Sequence, residues 1–139
     1  MIFETEFTVR FGEIDHARVV YYPRLFHIFH QTFEEWFDKA LGVSYPTLVV
    51  DENIGFPSVK IETEFRKPLR YGDRVRVSLE LEAIGSKSLT CRYSMTRLPD
   101  GEHAASARIT TVAINNDTFE SIVIPDVWRA RFEAFKSRA

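Results

Sequence analysis

Apolar and polar residues alternate along residues 2–11, which is the pattern of a strand with one buried face. The apolar members are Ile2, Phe7, Val9 and Phe11, and the register slips once, near Phe3. We therefore predict a first, half-buried β-strand over these residues. A loop that contains Gly12 and Asp15 follows it.

The next pattern has helical spacing and extends from residue 24 to residue 41. Its apolar members are Leu25, Phe26, Ile28, Phe29, Phe33, Trp36, Phe37, Ala40 and Leu41. Pro23 suits the first turn of a helix, and Gly42 stands where a C-terminal glycine belongs. The pattern predicts one long amphipathic helix with a defined start and stop.

Strand-like stretches follow the helix, and turn residues separate them. They cover residues 59–65, 74–83, 89–98 and 104–114. A short edge strand is expected at 122–124 and a C-terminal helix at 125–136, with Val127, Trp128, Phe132 and Phe135 as its apolar residues. Because strands and helices do not alternate, the sheet should be mainly antiparallel and the class α+β, with the sheet wrapped around the long helix.

Length and composition predict one domain over residues 1–139. Twelve Phe, five Tyr and two Trp supply more aromatic surface than is usual, part of which we expect a second subunit to bury. The net charge is only −2 and the basic residues are scattered, so nucleic-acid binding is not expected. We find neither a signal peptide nor a membrane-spanning run, which predicts a cytoplasmic protein, and Cys91 is expected to pack in a sheet.

The sequence lacks the glycine-rich phosphate loops, the serine-nucleophile elbow and the Cys/His zinc spacing of common enzymes. What remains is the acidic loop around Asp15, which leads into the start of the long helix. Free N–H groups at a helix start can hold a polarised carbonyl oxygen while a carboxylate attacks the carbonyl carbon or activates water. The alternative is that Asp15 only caps the helix or stabilises the turn.

Two segments resemble one known family. The run Phe-Gly-Glu-Ile-Asp-His-Ala-Arg-Val-Val-Tyr-Tyr-Pro at 11–23, followed by an aromatic helix with Glu35-Trp36, is similar to the signature of the 4-hydroxybenzoyl-CoA thioesterase family of hotdog enzymes. Residues 65–73 resemble the segment that enters the third strand of that family. The resemblance extends from about Thr5 to Pro125 and implies a hotdog fold, dimers that join two sheets, and active sites at the subunit interface.

The resemblance also implies roles for particular residues. Asp15 matches the catalytic aspartate, as nucleophile or general base, and Tyr22 matches the position whose backbone N–H polarises the thioester carbonyl. Lys87 matches a basic turn position that contacts the coenzyme A nucleotide; a solvated turn lysine is the alternative. Arg18 stands where most of the family has glycine, which would alter the pocket or place a cation beside the substrate. His16 is a further candidate because it adjoins Asp15.

Other polar residues are weaker candidates. Arg66, Lys67 and Arg70 read as soluble surface. His27, His30 and Glu34 have a spacing that must be considered for a metal, but no third nitrogen or sulfur ligand is evident nearby, so no metal is expected. His30 also replaces an acid found in many relatives. Glu34 and Glu35 lie where other hotdog thioesterases carry a catalytic glutamate, but the flanking small residues are missing and Asp15 is preferred.

We therefore predict an acyl-CoA thioesterase without cofactor, in a homodimer or homotetramer. The aromatic residues at 21–37 and Phe56 either line a pocket for an aromatic or branched acyl group or form core, so the sequence does not identify the substrate. Two alternatives stay open at this point. One is a thioesterase that acts on acyl-carrier-protein substrates, and the other is a non-catalytic hotdog module that binds acyl-CoA, which the glycine replacement at Arg18 favours.

Overall fold

The structure is a computed structural model and describes residues 1–138. Its main strands are β1 (Ile2–Thr8), β3 (Ser58–Phe65), β4 (Arg74–Ile84), β5 (Ser88–Leu98) and β6 (His103–Val112). They form one antiparallel sheet in the order β1-β4-β5-β6-β3. Two short strands, β2 (Ile54–Gly55) and β7 (Ile114–Asn115), pair with each other. The antiparallel α+β fold predicted from the sequence is confirmed.

The long helix α1 extends from Tyr22 to Trp36 with Pro23 in its first turn. A π-helical turn over Phe37–Leu41 prolongs it, and Gly42 ends it with a φ of 78°, a conformation that glycine adopts without steric cost. A second helix, α2, covers Asp126–Ser137. Within residues 1–138, no helix is both long and apolar enough to cross a membrane.

The first strand starts at Ile2 as predicted, but its C-terminal bound and its register differ from the prediction. It stops at Thr8, and Phe11–Glu13 form a 3-10 turn instead. The predicted register slip near Phe3 is wrong, because β1 pairs with β4 continuously from Ile2 opposite Glu80 to Thr8 opposite Arg74. Phe3 is the buried residue and Ile2 the exposed one, so a single alternation extends through the strand.

The segment after β6 also differs. Residues 122–124 form no strand, because the Ile122 and Ile124 N–H groups donate to carbonyls of two separate segments and no ladder results. In α2 the buried residues are Trp128, Phe132 and Phe135, whereas Val127 is 67% exposed. A π-helical turn over Thr47–Asp51, which the sequence analysis did not predict, lies in the connection after α1.

The concave side of the sheet wraps around one face of α1. Phe29 contacts Tyr93 of β5 with a ring separation of 5.2 Å, and Trp36 stacks on Phe132 of α2 at 5.7 Å. These four side chains are almost completely buried, so most of the aromatic surplus is covered within the chain. Cys91 is buried in the sheet, as predicted, and desolvation raises the pKa of its thiol to about 12.

The core contacts of α2 predict a large loss of stability in Phe132→Ala. Phe132 is fully buried against Trp36, Phe37 and Trp128, and removing such a ring costs roughly 3–5 kcal/mol of unfolding free energy. Val127→Ala on the same helix should change it by less than about 0.5 kcal/mol because Val127 is exposed. Urea denaturation measures both; equal losses would contradict the assigned faces of α2.

Candidate active site

The connection between β1 and α1 folds into a small hairpin. Ile14 bridges Val20, the Asp15 N–H donates to the Val19 carbonyl at 3.0 Å, and the Tyr21 N–H donates to the Glu13 carbonyl at 2.9 Å. The Val20 N–H donates in turn to the Leu69 carbonyl at 2.8 Å. The loop that carries Asp15 is therefore held by backbone hydrogen bonds to the segment before β4 and to the start of α1.

Asp15 is half-buried in this hairpin. Its Oδ1 accepts the Ala17 N–H at 2.8 Å, so the side chain does stabilise the turn. It does not cap α1, because Tyr21 is the N-cap residue and no side chain caps the helix. Oδ2 accepts no hydrogen bond from the described residues, and none of their cations forms a salt bridge with this carboxylate. One carboxylate oxygen is therefore free to act on a water or a substrate.

Arg18 and His16 lie at the exposed tip of the same hairpin. Arg18 has a φ of 66°, the left-handed conformation that glycine adopts most readily and that costs other residues about 1–2 kcal/mol. The backbone at Arg18 therefore keeps the conformation that a glycine would take. The replacement adds an exposed guanidinium beside Asp15 rather than a different loop.

Tyr22 is the first residue of α1, where an N–H has no acceptor within the helix. Its N–H donates to no other described residue, and Pro23 has no N–H to compete with it. The positive end of the helix dipole adds to this donor. The structure thus offers one unpaired N–H at the helix start, next to the loop that carries Asp15.

Tyr22 borders a pocket of about 270 Å³. The pocket is lined by Val19, Val20, Tyr22, Leu25, Phe65, Arg66, Lys67, Pro68, Leu69, Ala104 and Ala105. Because Asp15 pairs with Val19 through the backbone, the carboxylate loop lies directly behind one wall of the pocket. We call this cavity the proximal pocket.

Exposed aromatic residues concentrate around the proximal pocket. Tyr22 and Phe65 lie 6.4 Å apart between ring centroids, Tyr21 and Tyr22 lie 5.5 Å apart, and Phe11 meets Tyr71 at 6.0 Å. All five are exposed in the single chain. Tyr22 and Phe65, which line the proximal pocket, form an apolar surface suited to a flat ligand or to a second subunit.

Lys87 does not share this site within one chain. It lies in the turn after β4, where its Nζ is 3.3 Å from Ser121 Oγ. The Asp15 loop is beside the other end of β4, since the Val9 N–H donates to the Asp73 carbonyl. The eleven residues of β4 separate the two ends by roughly 33 Å.

Two basic residues that the sequence analysis rated as soluble surface, Arg66 and Lys67, are exposed and also line the proximal pocket. Arg66 is paired with Glu64 at 2.7 Å, and Lys67 forms no salt bridge among residues 1–138. The Lys67 N–H bonds to the Ala104 carbonyl of β6, a long-range contact that a reading of the sequence did not reveal. Arg70 bonds through its N–H to Asp73 and forms no part of the pocket lining.

The polar residues of α1 are already engaged or lie elsewhere. Glu35 accepts the Thr5 hydroxyl at 2.5 Å, and Glu34 pairs with His30 at 3.2 Å. His27 lines a separate surface cleft. No group of three metal-binding side chains occurs within residues 1–138. These contacts favour Asp15 over a helix glutamate as the reactive carboxylate.

Comparison with known proteins identifies the family to which the chain is similar. Residues 9–132 match the model of the "Thioesterase-like superfamily". A 1,4-dihydroxy-2-naphthoyl-CoA hydrolase from Prochlorococcus marinus (strain NATL2A) is 37% identical over 114 residues, which are 78% of this chain and 72% of that protein.

Solved structures give the same result for the fold. A gentisyl-coenzyme A thioesterase superposes with a TM-score of 0.82 at 26% identity, over 91% of this chain and 98% of that one. A 1,4-dihydroxy-2-naphthoyl-CoA thioesterase from Synechocystis superposes with a TM-score of 0.87 at 21% identity, over 99% of this chain and 100% of that one. The hotdog fold and the thioester hydrolase predicted from the sequence are confirmed, and the chain belongs to the thioesterase-like superfamily.

Proposed function

We propose that this enzyme hydrolyses the coenzyme A thioester of a hydroxylated aromatic acid, with Asp15 and the Tyr22 N–H as its catalytic groups. The observation that carries the proposal is the unpaired N–H at the start of α1, which borders the proximal pocket and adjoins the Asp15 hairpin. An N–H donor and a carboxylate are the two groups that thioester hydrolysis needs.

The proposed reaction begins with the thioester carbonyl oxygen at the Tyr22 N–H. The N–H and the helix dipole stabilise the negative charge that develops on this oxygen. The Asp15 carboxylate then removes a proton from a water that attacks the carbonyl carbon, or attacks that carbon itself to give an anhydride that water opens. In both routes the carbon–sulfur bond breaks and coenzyme A leaves as a thiolate. The thiolate takes up a proton that comes from the water, and the free acid then leaves.

Two observations support an aromatic acyl group. The relatives described above are named for 1,4-dihydroxy-2-naphthoyl-CoA and for gentisyl-CoA, which are both thioesters of hydroxylated aromatic acids. The proximal pocket is bordered by the exposed rings of Tyr22 and Phe65, which can stack on a flat substrate. We further propose that the chain is close to the 4-hydroxybenzoyl-CoA branch of the superfamily and acts as one domain in the cytoplasm.

The backbone at Arg18 weighs against a non-catalytic module. That alternative depended on the loss of a glycine next to the thioester, but Arg18 adopts the left-handed conformation that the glycine would have. The hairpin hydrogen bonds that position Asp15 are likewise intact. Arg18 and His16, which are exposed on the hairpin, are therefore proposed as contacts to the substrate rather than as signs of lost activity.

Asp15→Asn should lower kcat/KM for thiol release at least about a hundredfold, because it removes the base or nucleophile and keeps the shape of the side chain. Asp38→Asn, on the exposed π-helical turn after α1, is the matched control and should keep wild-type activity. The substrates tested are benzoyl-, gentisyl- and 1,4-dihydroxy-2-naphthoyl-CoA together with one aryl thioester of acyl carrier protein. Full activity in Asp15→Asn contradicts the assignment, and a preference for the carrier-protein substrate favours the alternative thioesterase.

Contacts to the coenzyme A phosphates are proposed for Lys67 and for Lys87. Lys67 lines the proximal pocket with no ion-pair partner among the described residues. Lys87 lies too far along β4 to meet a substrate bound to Asp15 of its own chain. It can take part only where a second copy brings the β4–β5 turn to the site.

Lys67→Gln should raise KM for an acyl-CoA about fivefold, the scale of one partly exposed ion pair, and leave KM for the matching acyl-pantetheine unchanged. The pantetheine thioester lacks the nucleotide phosphates, so it isolates the charge effect. Lys87→Gln is measured in parallel. A rise confined to the coenzyme A substrate in this variant supports a site completed by a second chain, and unchanged KM values in both variants contradict both assignments.

The open edge of the sheet supports a homodimer. Among residues 1–138, strand β3 pairs with β6 alone, and its inward-facing side chains Ile61 and Phe65 are exposed. An exposed apolar edge strand is a surface that a second strand can extend. We propose that β3 of two copies pair, which brings the proximal pocket close to the interface; a homotetramer would then be a pair of such dimers.

Ile61→Arg should convert the dimer into a monomer at micromolar concentration, because it places a charge on the inward side of β3, where Ile61 is 45% exposed. Val127→Arg introduces the same charge on the exposed face of α2 and should leave the oligomer a dimer. Light scattering coupled to size exclusion measures both. A wild-type monomer would rule out an interfacial site.

A further inference from the structure

A second, smaller cavity lies farther along α1, between this helix and the strands β3, β5 and β6. Its volume is about 60 Å³, and it is more enclosed than the proximal pocket. Phe26, His30 and Phe33 line it from the helix, and Ser58, Tyr93 and Thr111 line it from the sheet. A cavity needs roughly 10–15 Å³ to hold one water, so the distal space suits the leading edge of a ring rather than a whole ligand. We call it the distal pocket.

The distal pocket and the proximal pocket lie along one stripe of α1. Tyr22, Phe26 and His30 are each four residues apart and therefore lie on one stripe of α1. The Phe65 ring is 6.4 Å from both Tyr22 and Phe26, so it lies between the two cavities. The helical rise from Tyr22 to His30 is about 12 Å, and side chains that lean towards the helix N-terminus shorten the gap. A flat acyl group attached at the Tyr22 N–H would extend along this stripe.

An unpaired hydroxyl group marks the distal pocket. Thr111 is 7% exposed, and its Oγ1 is buried without a hydrogen-bond partner among the described residues. Leaving such a group unpaired costs about 1–3 kcal/mol, so a ligand hydroxyl that paired with it would be favoured. Thr111 shares the inward face of β6 with Ile109, which also lines the pocket.

His30 supplies a second polar atom. Its Nε2 lies 3.2 Å from a Glu34 carboxylate oxygen, and its ring stacks on Phe33 at 6.1 Å and meets the edge of Tyr45 at 5.8 Å. The His30 side chain is 49% exposed, and each imidazole nitrogen donates or accepts a hydrogen bond according to the tautomer. The described residues give Nδ1 no partner. The pocket is therefore lined by an imidazole on the helix and by a threonine on the sheet.

We propose that the distal pocket recognises a hydroxyl group on the aromatic acyl ring, which forms hydrogen bonds with the imidazole of His30 and the hydroxyl of Thr111. The proposal rests on the thioesterase function above, whose active site holds the other end of the substrate. It makes Thr111 and His30 the residues that distinguish hydroxylated from unsubstituted aryl thioesters.

Thr111→Val tests the proposal because it removes the hydroxyl and keeps the shape. The measurement is the ratio of kcat/KM for gentisyl-CoA to that for benzoyl-CoA, repeated with 1,4-dihydroxy-2-naphthoyl-CoA and 2-naphthoyl-CoA. Wild type should prefer the hydroxylated member of each pair, and Thr111→Val should reduce the ratio about tenfold, the scale of one hydrogen bond, with the unsubstituted substrates unaffected. His30→Phe should reduce it similarly.

The matched control is Thr110→Val, the next residue along β6. Its hydroxyl is 3.1 Å from that of Thr90, and the alternation of β6 turns it to the other face of the sheet. This variant should keep the wild-type ratio. The melting temperature of Thr111→Val should equal or exceed that of wild type, because an unpaired buried hydroxyl is replaced by a methyl group.

Equilibrium titration with gentisate and benzoate separates this proposal from the proposed function. If no thioester is cleaved but wild type binds gentisate more tightly and Thr111→Val loses that preference, the pocket assignment stands and the hydrolase assignment fails. If the thioesters are cleaved but Thr111→Val keeps the wild-type ratio, or if the two acids bind wild type equally, the pocket assignment is overturned.

Discussion

The burial of one face of α1 against the concave side of the sheet sets the position of the whole site. Phe29, Phe33 and Trp36 are almost fully buried, and the rings of Tyr93 and Phe132 hold them from the sheet and from α2. Burial of apolar area supplies the free energy, and the edge and stacking contacts fix the rotation of the helix. Because this packing fixes the rotation of the helix, it also fixes the directions of the Tyr22 N–H and of the stripe formed by Tyr22, Phe26 and His30.

The same packing leaves the other flank of α1 uncovered. Tyr22, Phe26 and His30 follow that flank beside the open edge strand β3, and the two pockets lie in the space between them. At the N-terminal end, the hairpin around Asp15 is held by backbone bonds to Leu69 and Val19. The loop that carries Asp15, a free N–H donor and two pockets thus lie along one helix whose other side is buried.

Local patterns predicted the elements, because the period of burial is written into neighbouring residues: α1 and the strands β3 to β6 were found close to their observed bounds. Features that depend on distant pairing were missed. Lys67 lines the pocket because its N–H donates to the Ala104 carbonyl of β6. Lys87 lies far from Asp15 because the eleven residues of β4 separate them. Similarly, the adjacent threonines of β6 are chemically identical in the sequence, and only the sheet register shows that Thr111 faces inward.

The central claim is that the thioester carbonyl lies at the start of α1 with Asp15 beside it. A crystal structure of the Asp15→Asn variant with bound 1,4-dihydroxy-2-naphthoyl-CoA tests it most directly. The account predicts the thioester oxygen about 2.7–3.1 Å from the Tyr22 nitrogen, with residue 15 against the carbonyl carbon or an ordered water. A thioester that instead lies beside Glu34 or Glu35, away from the helix start, would contradict it.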